Sequence, residues 1–215
     1  MTPTRLTAAL AIAILAGGCT TPIERSRNLA DPAVPAVTLA QQVCSNCHGL
    51  TGSAVSPNFP NLAAQSETYL VSQLAGFKSH SRQDPAGFEY MWGLSRSLSD
   101  EQIAGLAVYF SAQKPQPQPL EGDPARQAAG QVIFEQGIAG RNVPACVSCH
   151  GPGGAGLAAF PRLAGQHADY VVKQLQVFQR SNDRPEGAIM KVVAHELTPQ
   201  DIEDLAAYLQ SIGPK

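Results

Sequence analysis

Two pentapeptides carry most of the chemistry legible in this chain, Cys44-Ser45-Asn46-Cys47-His48 and Cys146-Val147-Ser148-Cys149-His150. Two cysteines separated by two residues, with histidine directly after, form the attachment pattern of c-type haem. The spacing has a chemical reason. One turn of backbone places both thiols under the two vinyl groups of a porphyrin, where thioether bonds form, and aims the adjacent imidazole at the iron. Two other uses of such cysteines fit less well. A thioredoxin-like redox motif needs a βαβ setting, which the chain lacks, and a structural zinc site usually has about 15–20 residues between its cysteine pairs. Cys47 and Cys146 are far more distant than that, and zinc gives no reason for a histidine after both pairs. Two covalently attached haem c groups are therefore expected, on Cys44, Cys47, Cys146 and Cys149, with His48 and His150 as proximal iron ligands.

A haem iron held by histidine needs a group on its far side, and a soft thioether there raises the potential. Apart from Met1, the only methionines are Met91 and Met190, one in each half. Core packing is the commoner use of methionine, but the matched positions make both expected axial ligands. His80, His167 and His195 are the rivals. None has a counterpart histidine in the other half, so they are expected at the surface or beside the haem propionates. The Nδ1–H of each proximal imidazole needs an acceptor to fix its tautomer and orientation. Pro60 and Pro161 follow their histidines by 12 and 11 residues. Proline has no N–H but keeps its C=O, and these two carbonyls are the expected acceptors. Arg82, Arg96, Arg162 and Arg184 are candidates for pairing with propionates, since the guanidinium fork suits carboxylates.

The elements that must position these groups are helical. The chain has 215 residues and a formal net charge of -2, enough length for one or two domains and no electrostatic footprint for nucleic acid. Aromatic residues are few, and runs rich in Val, Ile and Thr are nearly absent, so an all-α fold is expected. Residues 1–19 read as an export signal: Arg5, a short apolar run from Leu6, then Leu15-Ala16-Gly17-Gly18-Cys19, which is similar to a bacterial lipoprotein box. Cys19, the fifth cysteine, is then expected as a lipidated N-terminus outside the cytoplasm; the alternative is ordinary cleavage nearby, which leaves it in the discarded peptide or as a free thiol. Residues 20–35, with Pro22, Pro32 and Pro35, read as a flexible tether.

The remainder divides into a first domain, 36–113, a Pro-rich linker, 114–124, and a second domain, 125–215. In the first, Leu39, Ala40 and Val43 lead into the motif. Tyr69, Leu70, Gln73, Leu74 and Phe77 share a helical face over Glu67 to Phe77, a loop reaches Met91, and Ser99-Asp100-Glu101-Gln102 reads as a capping box. Ile103, Leu106, Ala107 and Phe110 form the stripe of the helix it opens. The second domain repeats the plan with Val132, Ile133 and Phe134, with Tyr170, Val171, Gln174, Leu175 and Phe178, and with a helix opened by Thr198-Pro199-Gln200-Asp201. Cys146 lies 102 residues after Cys44, Pro161 and Tyr170 lie 101 after Pro60 and Tyr69, and Met190 lies 99 after Met91. The drifts are expected in loops.

These segments resemble the di-haem cytochrome c4 family, built of two tandem class I cytochrome c domains. The resemblance rests on Cys44 to Gly49, Pro60-Asn61-Leu62-Ala63-Ala64-Gln65 and Tyr69 to Phe77. Its second-half counterparts are Pro144-Ala145-Cys146 to Gly156, Phe160-Pro161-Arg162-Leu163-Ala164-Gly165-Gln166-His167 and Tyr170 to Phe178. The first half departs from the second in having Ala64 where the other has Gly165. The resemblance implies a bacterial periplasmic electron carrier between a quinol-oxidising complex and a terminal oxidase or reductase. Its haems would lie close together across the domain interface, and no small-molecule substrate is expected. The alternative is a haem enzyme or the electron-accepting subunit of a periplasmic oxidoreductase, of the peroxidase, thiosulfate or alcohol dehydrogenase type. Catalysis would need an open or labile iron position.

Overall fold

A computed structural model describes residues 25–117 and 122–213. The export signal, Cys19, residues 20–24 of the expected tether and the middle of the linker lie outside the described residues. The described chain is helical, and its only strand-like pairings are two isolated bridges, Ile138 with Val143 and Leu157 with Phe160.

In the first half, α1 (Ala36–Leu39) runs through a π-helical turn (Ala40–Cys44) straight into α2 (Ser45–His48), which carries the motif. Then come α3 (Glu67–Lys78), capped by the Ser66 hydroxyl, and α4 (Pro85–Gly87). A second π-helical turn (Phe88–Trp92) and α5 (Gly93–Ser95) lead to α6 (Asp100–Ser111). The second half has α7 (Pro124–Gln136), α8 (Val147–His150) with the second motif, α9 (Ala168–Arg180), α10 (Ala188–Ala194) and α11 (Pro199–Ser211). Both terminal helices open on reciprocal capping boxes, Ser99 with Gln102 and Thr198 with Asp201, each leaving fewer backbone donors unpaired.

Each half has its own core. Leu39, Ile103, Leu106 and Phe110 are buried in one, and Phe134, Ile202, Leu205 and Leu209 in the other. Removing a fully buried ring such as Phe134 costs about 3–5 kcal/mol. The first and last helices of each half cross at a glycine. At Gly130 the helices touch so closely that a Cβ would come 2.0 Å from the Asp204 carbonyl oxygen; at Gly105 it would come 2.6 Å from the Ala36 Cβ.

Three expectations change. Of the stretch before Met91, residues 79–84 form the expected loop but the part from Pro85 onward is helix, because Pro85 sits at the first turn, where its missing N–H costs nothing. One residue of the drift in spacing falls there as well. Gly87 and Gly187 both lie against the ring of the preceding helix, Phe77 and Phe178, yet Met91 follows its glycine by four residues and Met190 by three. The extra residue widens the helix into the π turn of Phe88–Trp92. The described part of the expected tether is also folded. Val34 is buried and Leu29 packs on the first core, and the Gln102 amide donates to the carbonyls of Asp31 and Val34, both at 3.0 Å. These apolar side chains and the buried amide that holds them outweigh the prolines that suggested a loose chain. At the linker, the Gln116 N–H donates to Ser53 at 3.1 Å, so residues 114–117 lie back along the first half.

Candidate functional site

Both pentapeptides end as one-turn helices whose histidine points inward: His48 and His150 are buried. The Nδ1 of His48 donates to the Pro60 carbonyl at 2.9 Å, and that of His150 to the Pro161 carbonyl at 2.9 Å. Burial lowers the pKa of both imidazoles, against the opposing pull of the proline carbonyls. A neutral ring whose Nδ1–H is engaged leaves its Nε2 lone pair free for a metal. His150 Nε2 is fully buried and has no hydrogen-bond partner. Each ring is also flanked edge-on by a phenylalanine, Phe59 at 6.2 Å and Phe160 at 6.1 Å between centroids. Sequence reasoning missed these two phenylalanines, which directly precede the prolines already singled out.

The four motif cysteines are free and half-buried. Burial pushes the Cys44 and Cys146 thiols up to about 11. Zinc ligation and disulfide exchange need the thiolate, which this setting disfavours. Among the described residues no three His, Cys, Asp or Glu side chains gather into a metal cage. Instead, one apolar cavity of about 830 Å3 runs through both halves. Cys44, Cys47, His48 and Met91 line it in one half, and Cys146, Cys149, His150 and Met190 in the other. A flat apolar macrocycle with an iron at its centre fits this donor set: paired thiols, a buried imidazole and a thioether in each half, with the imidazole nitrogen of His150 orphaned.

The halves meet through a reciprocal set of bonds. Gln65 donates to the Arg162 carbonyl at 3.0 Å and accepts from the Arg162 N–H at 2.7 Å. Gln166 does the same to Asn61, at 3.1 and 2.8 Å. Asn61 and Gln65 occupy the positions of Arg162 and Gln166 in the other half, so the pairing is two-fold in character, as in an isologous dimer. His167 belongs to this seam, not to the surface: it is buried, with Nε2 2.9 Å from the Ala54 carbonyl oxygen. Its backbone N–H is fixed by Gln166 at 3.1 Å.

Deeper in the seam lies a polar ring. Arg82 pairs with Asp84 at 2.6 Å and donates to the Gln73 amide oxygen. Arg184 pairs with Glu186 at 3.0 Å and donates to Gln174 at 2.5 Å. It also reaches across to Tyr69 at 3.1 Å and Gln73 at 2.7 Å. Both guanidiniums line the shared cavity but already hold protein carboxylates. Burial raises the Asp84 carboxyl, but Arg82, followed by Arg184 and Gln174, outweighs it and keeps the group below the usual carboxylate range. Arg162 also lines the cavity, with a buried Nε lacking a partner. Arg96 does not: it is exposed and lies over Trp92 at 5.1 Å. His80 stacks edge-on with Trp92 and Phe88 on the outer face of the first half, and His195 is exposed beside Glu196. The tyrosines, glutamines and Asp84 of this ring were not assigned roles from sequence. Their signal was the recurrence of Tyr and Gln, 101 residues apart, on otherwise apolar helical faces.

The cytochrome c family model matches twice, at residues 33–114 and 127–213. Cytochrome c4 of Stutzerimonas stutzeri is 41% identical over 179 residues, 79% of this chain and 84% of its own length. A thiosulfate dehydrogenase electron acceptor of Thiomonas intermedia is 34% identical over 179 residues, 80% of each. The crystal structure of reduced recombinant cytochrome c4 from Pseudomonas stutzeri superimposes with a TM-score of 0.73 at 40% identity, covering 82% of this chain and 98% of that one. A doubled domain, two haem-attachment motifs facing one interior and these likenesses lead to one assignment: the chain belongs to the cytochrome c family, in the di-haem cytochrome c4 form that binds two covalent haem c groups.

Proposed function

We propose that this protein is an electron carrier in which His48 with Met91, and His150 with Met190, close both axial positions of their irons. The bound haems supply one-electron chemistry. The chain's part is to fasten them through Cys44, Cys47, Cys146 and Cys149 and to orient the imidazoles through the Pro60 and Pro161 carbonyls. It also keeps water from the cavity between them. The observation that supports this reading is that one thioether and one buried imidazole from each half line the shared cavity. With two protein ligands per iron, no position is open for a substrate, which favours carriage over catalysis.

The carrier works in the bacterial periplasm and takes electrons from a donor such as a quinol-oxidising complex, delivering them to a terminal oxidase or reductase. Among the described residues no helix is long and apolar enough to cross a membrane. Attachment to the membrane would come from lipid on Cys19. A second reading, supported by the Thiomonas relative, makes a thiosulfate-oxidising enzyme the donor.

Ferric spectra test the ligation. Two low-spin haems with a methionine–iron band at the red edge are expected. Met91→Ala and Met190→Ala should each remove about half of that band, and neither should release covalent haem. An unchanged spectrum in either variant overturns that assignment. Mass analysis of the mature protein counts the haems and reads out the lipid in one measurement.

A further inference from the structure

The ring between the two halves is symmetric in its arginines and glutamines but not in its carboxylates. Arg82 and Arg184 each have an acid two residues on, Asp84 and Glu186. Asp84 is 1% exposed, whereas the Glu186 side chain is 21% exposed at the rim. Asp84 is held from both halves: Arg82 Nε donates at 2.6 Å, Arg82 Nη2 at 3.3 Å, and Gln174 Nε2 at 3.2 Å from across the seam.

The mirror contact does not exist. Gln73 occupies the place of Gln174, and its oxygen accepts from both arginines. Its buried Nε2 has no partner and lines the cavity. Both amide oxygens face the arginines, so the single buried anion distinguishes the two amides only by their hydrogens. The Gln174 amide hydrogens go to Asp84, while those of Gln73 are left for whatever fills the cavity. Two of the three bonds to Asp84 come from Arg82 of its own half, and its Oδ1 also lies against Gly87 of that half, where a Cβ would come 3.0 Å from it.

We propose that Asp84 is a positioning residue for electron exchange: it engages the Gln174 amide hydrogens while those of Gln73 stay free for the cavity, and its buried negative charge favours the oxidised state of the haem held by Cys44 and Cys47. The inference rests on the carrier reading above. Glu186 is the internal control, because an anion at the solvent rim is screened far more than one in the interior.

The test is a haem-resolved redox titration of the intact holoprotein, with the two couples followed separately by the NMR signals of their haem methyl groups. Asp84→Asn should shift the first-half couple upward by roughly tenfold in its equilibrium constant, about 59 mV for one electron, and the second-half couple by less. Glu186→Gln should move both couples by less than twofold. Equal shifts in the two variants, or none in Asp84→Asn, overturn the proposal. Should Asp84→Asn fail to accumulate, Gln174→Met carries the test. It removes the cross-seam donor and keeps every charge, so the unshielded carboxylate should lower the first-half couple two- to threefold; no shift overturns the proposal equally. Haem counts and the red-edge band on the same samples keep the two readings apart. A missing haem or a lost band counts against the carrier assignment, and two intact haems with unmoved potentials count against Asp84 alone.

Discussion

The two halves hold the same chemical groups by different local means. In the first, α1 continues through a π turn directly into the motif helix. In the second, α7 ends at Gln136, and the chain passes through the Ile138–Val143 bridge before Cys146. The first half presents its methionine from a π turn flanked by Tyr90 and Trp92, the second from a regular helix with Ile189 and Val192 exposed. What stays constant is the imidazole, its proline carbonyl and the phenylalanine on its edge. The lesson is that the cavity fixes the inner wall of each half and leaves its outer wall free to change.

The seam offers the largest test of how far the halves are equivalent. Gln65→Leu should strip the Arg162 backbone of two bonds and leave a half-buried N–H unpaired, a loss of about 2–3 kcal/mol. Gln166→Leu should cost the same through Asn61. Unequal losses in chemical denaturation of the holoprotein would break the two-fold description. The helix crossings come next. Gly130→Ala forces a methyl onto the Asp204 carbonyl and should destabilise the second half by about 2 kcal/mol. Gly105→Ala should cost about half as much, because its obstacle is another methyl and alanine is the better helix former. Thermal melts of the two variants give the order.

A smaller effect separates the two terminal caps by pH. Gln102 is neutral, whereas Asp201 is hydrogen-bonded by Arg141 at 2.6 and 2.9 Å. Its carboxyl is held at about 2, against a usual 3.8, first by that hydrogen bond, against the opposing pull of burial, and then by Thr198. Because the folded value is depressed, the stabilisation is fully present above the usual carboxylate range and is lost as pH falls from about 4 to 2. After solvent screening it amounts to about 1 kcal/mol. Arg141→Ala should remove it at pH 7 and flatten the second half's stability between pH 4 and 2. A melt that keeps the wild-type slope would show the pair to be inert. Smallest is the backbone at Ala64, left-handed at φ 54° where Gly165 has φ 70°. Ala64→Gly should relieve strain and stabilise the first half by up to about 1 kcal/mol, and Gly165→Ala should do the reverse.

The comparison also marks where sequence reading reached and where it stopped. Chemistry with a fixed spacing was legible: the paired cysteines, the adjoining histidines, the proline carbonyls and the Ser99 capping box. So was the doubling of an all-α domain, since buried stripes recur with helical period. What could not be read depended on contacts between the copies. Asp84 looks like an ordinary loop acid until Gln174 reaches it from 90 residues away. His167 lacks a counterpart, and its burial follows only from how the halves meet. Packing also decided whether residues 25–35 would be loose, because Leu29 and Val34 are too sparse to register as a stripe.

The reciprocal glutamine pairs carry one more consequence. In a symmetric association of identical subunits, any change at the contact is made twice, and its cost is paid on both sides at once. Joining the partners into one polypeptide ends that doubling. An acid could be buried on one side and left at the edge on the other, and a residue could be inserted before one methionine and not its twin. Within one polypeptide, two matched halves can differ at such points without coming apart.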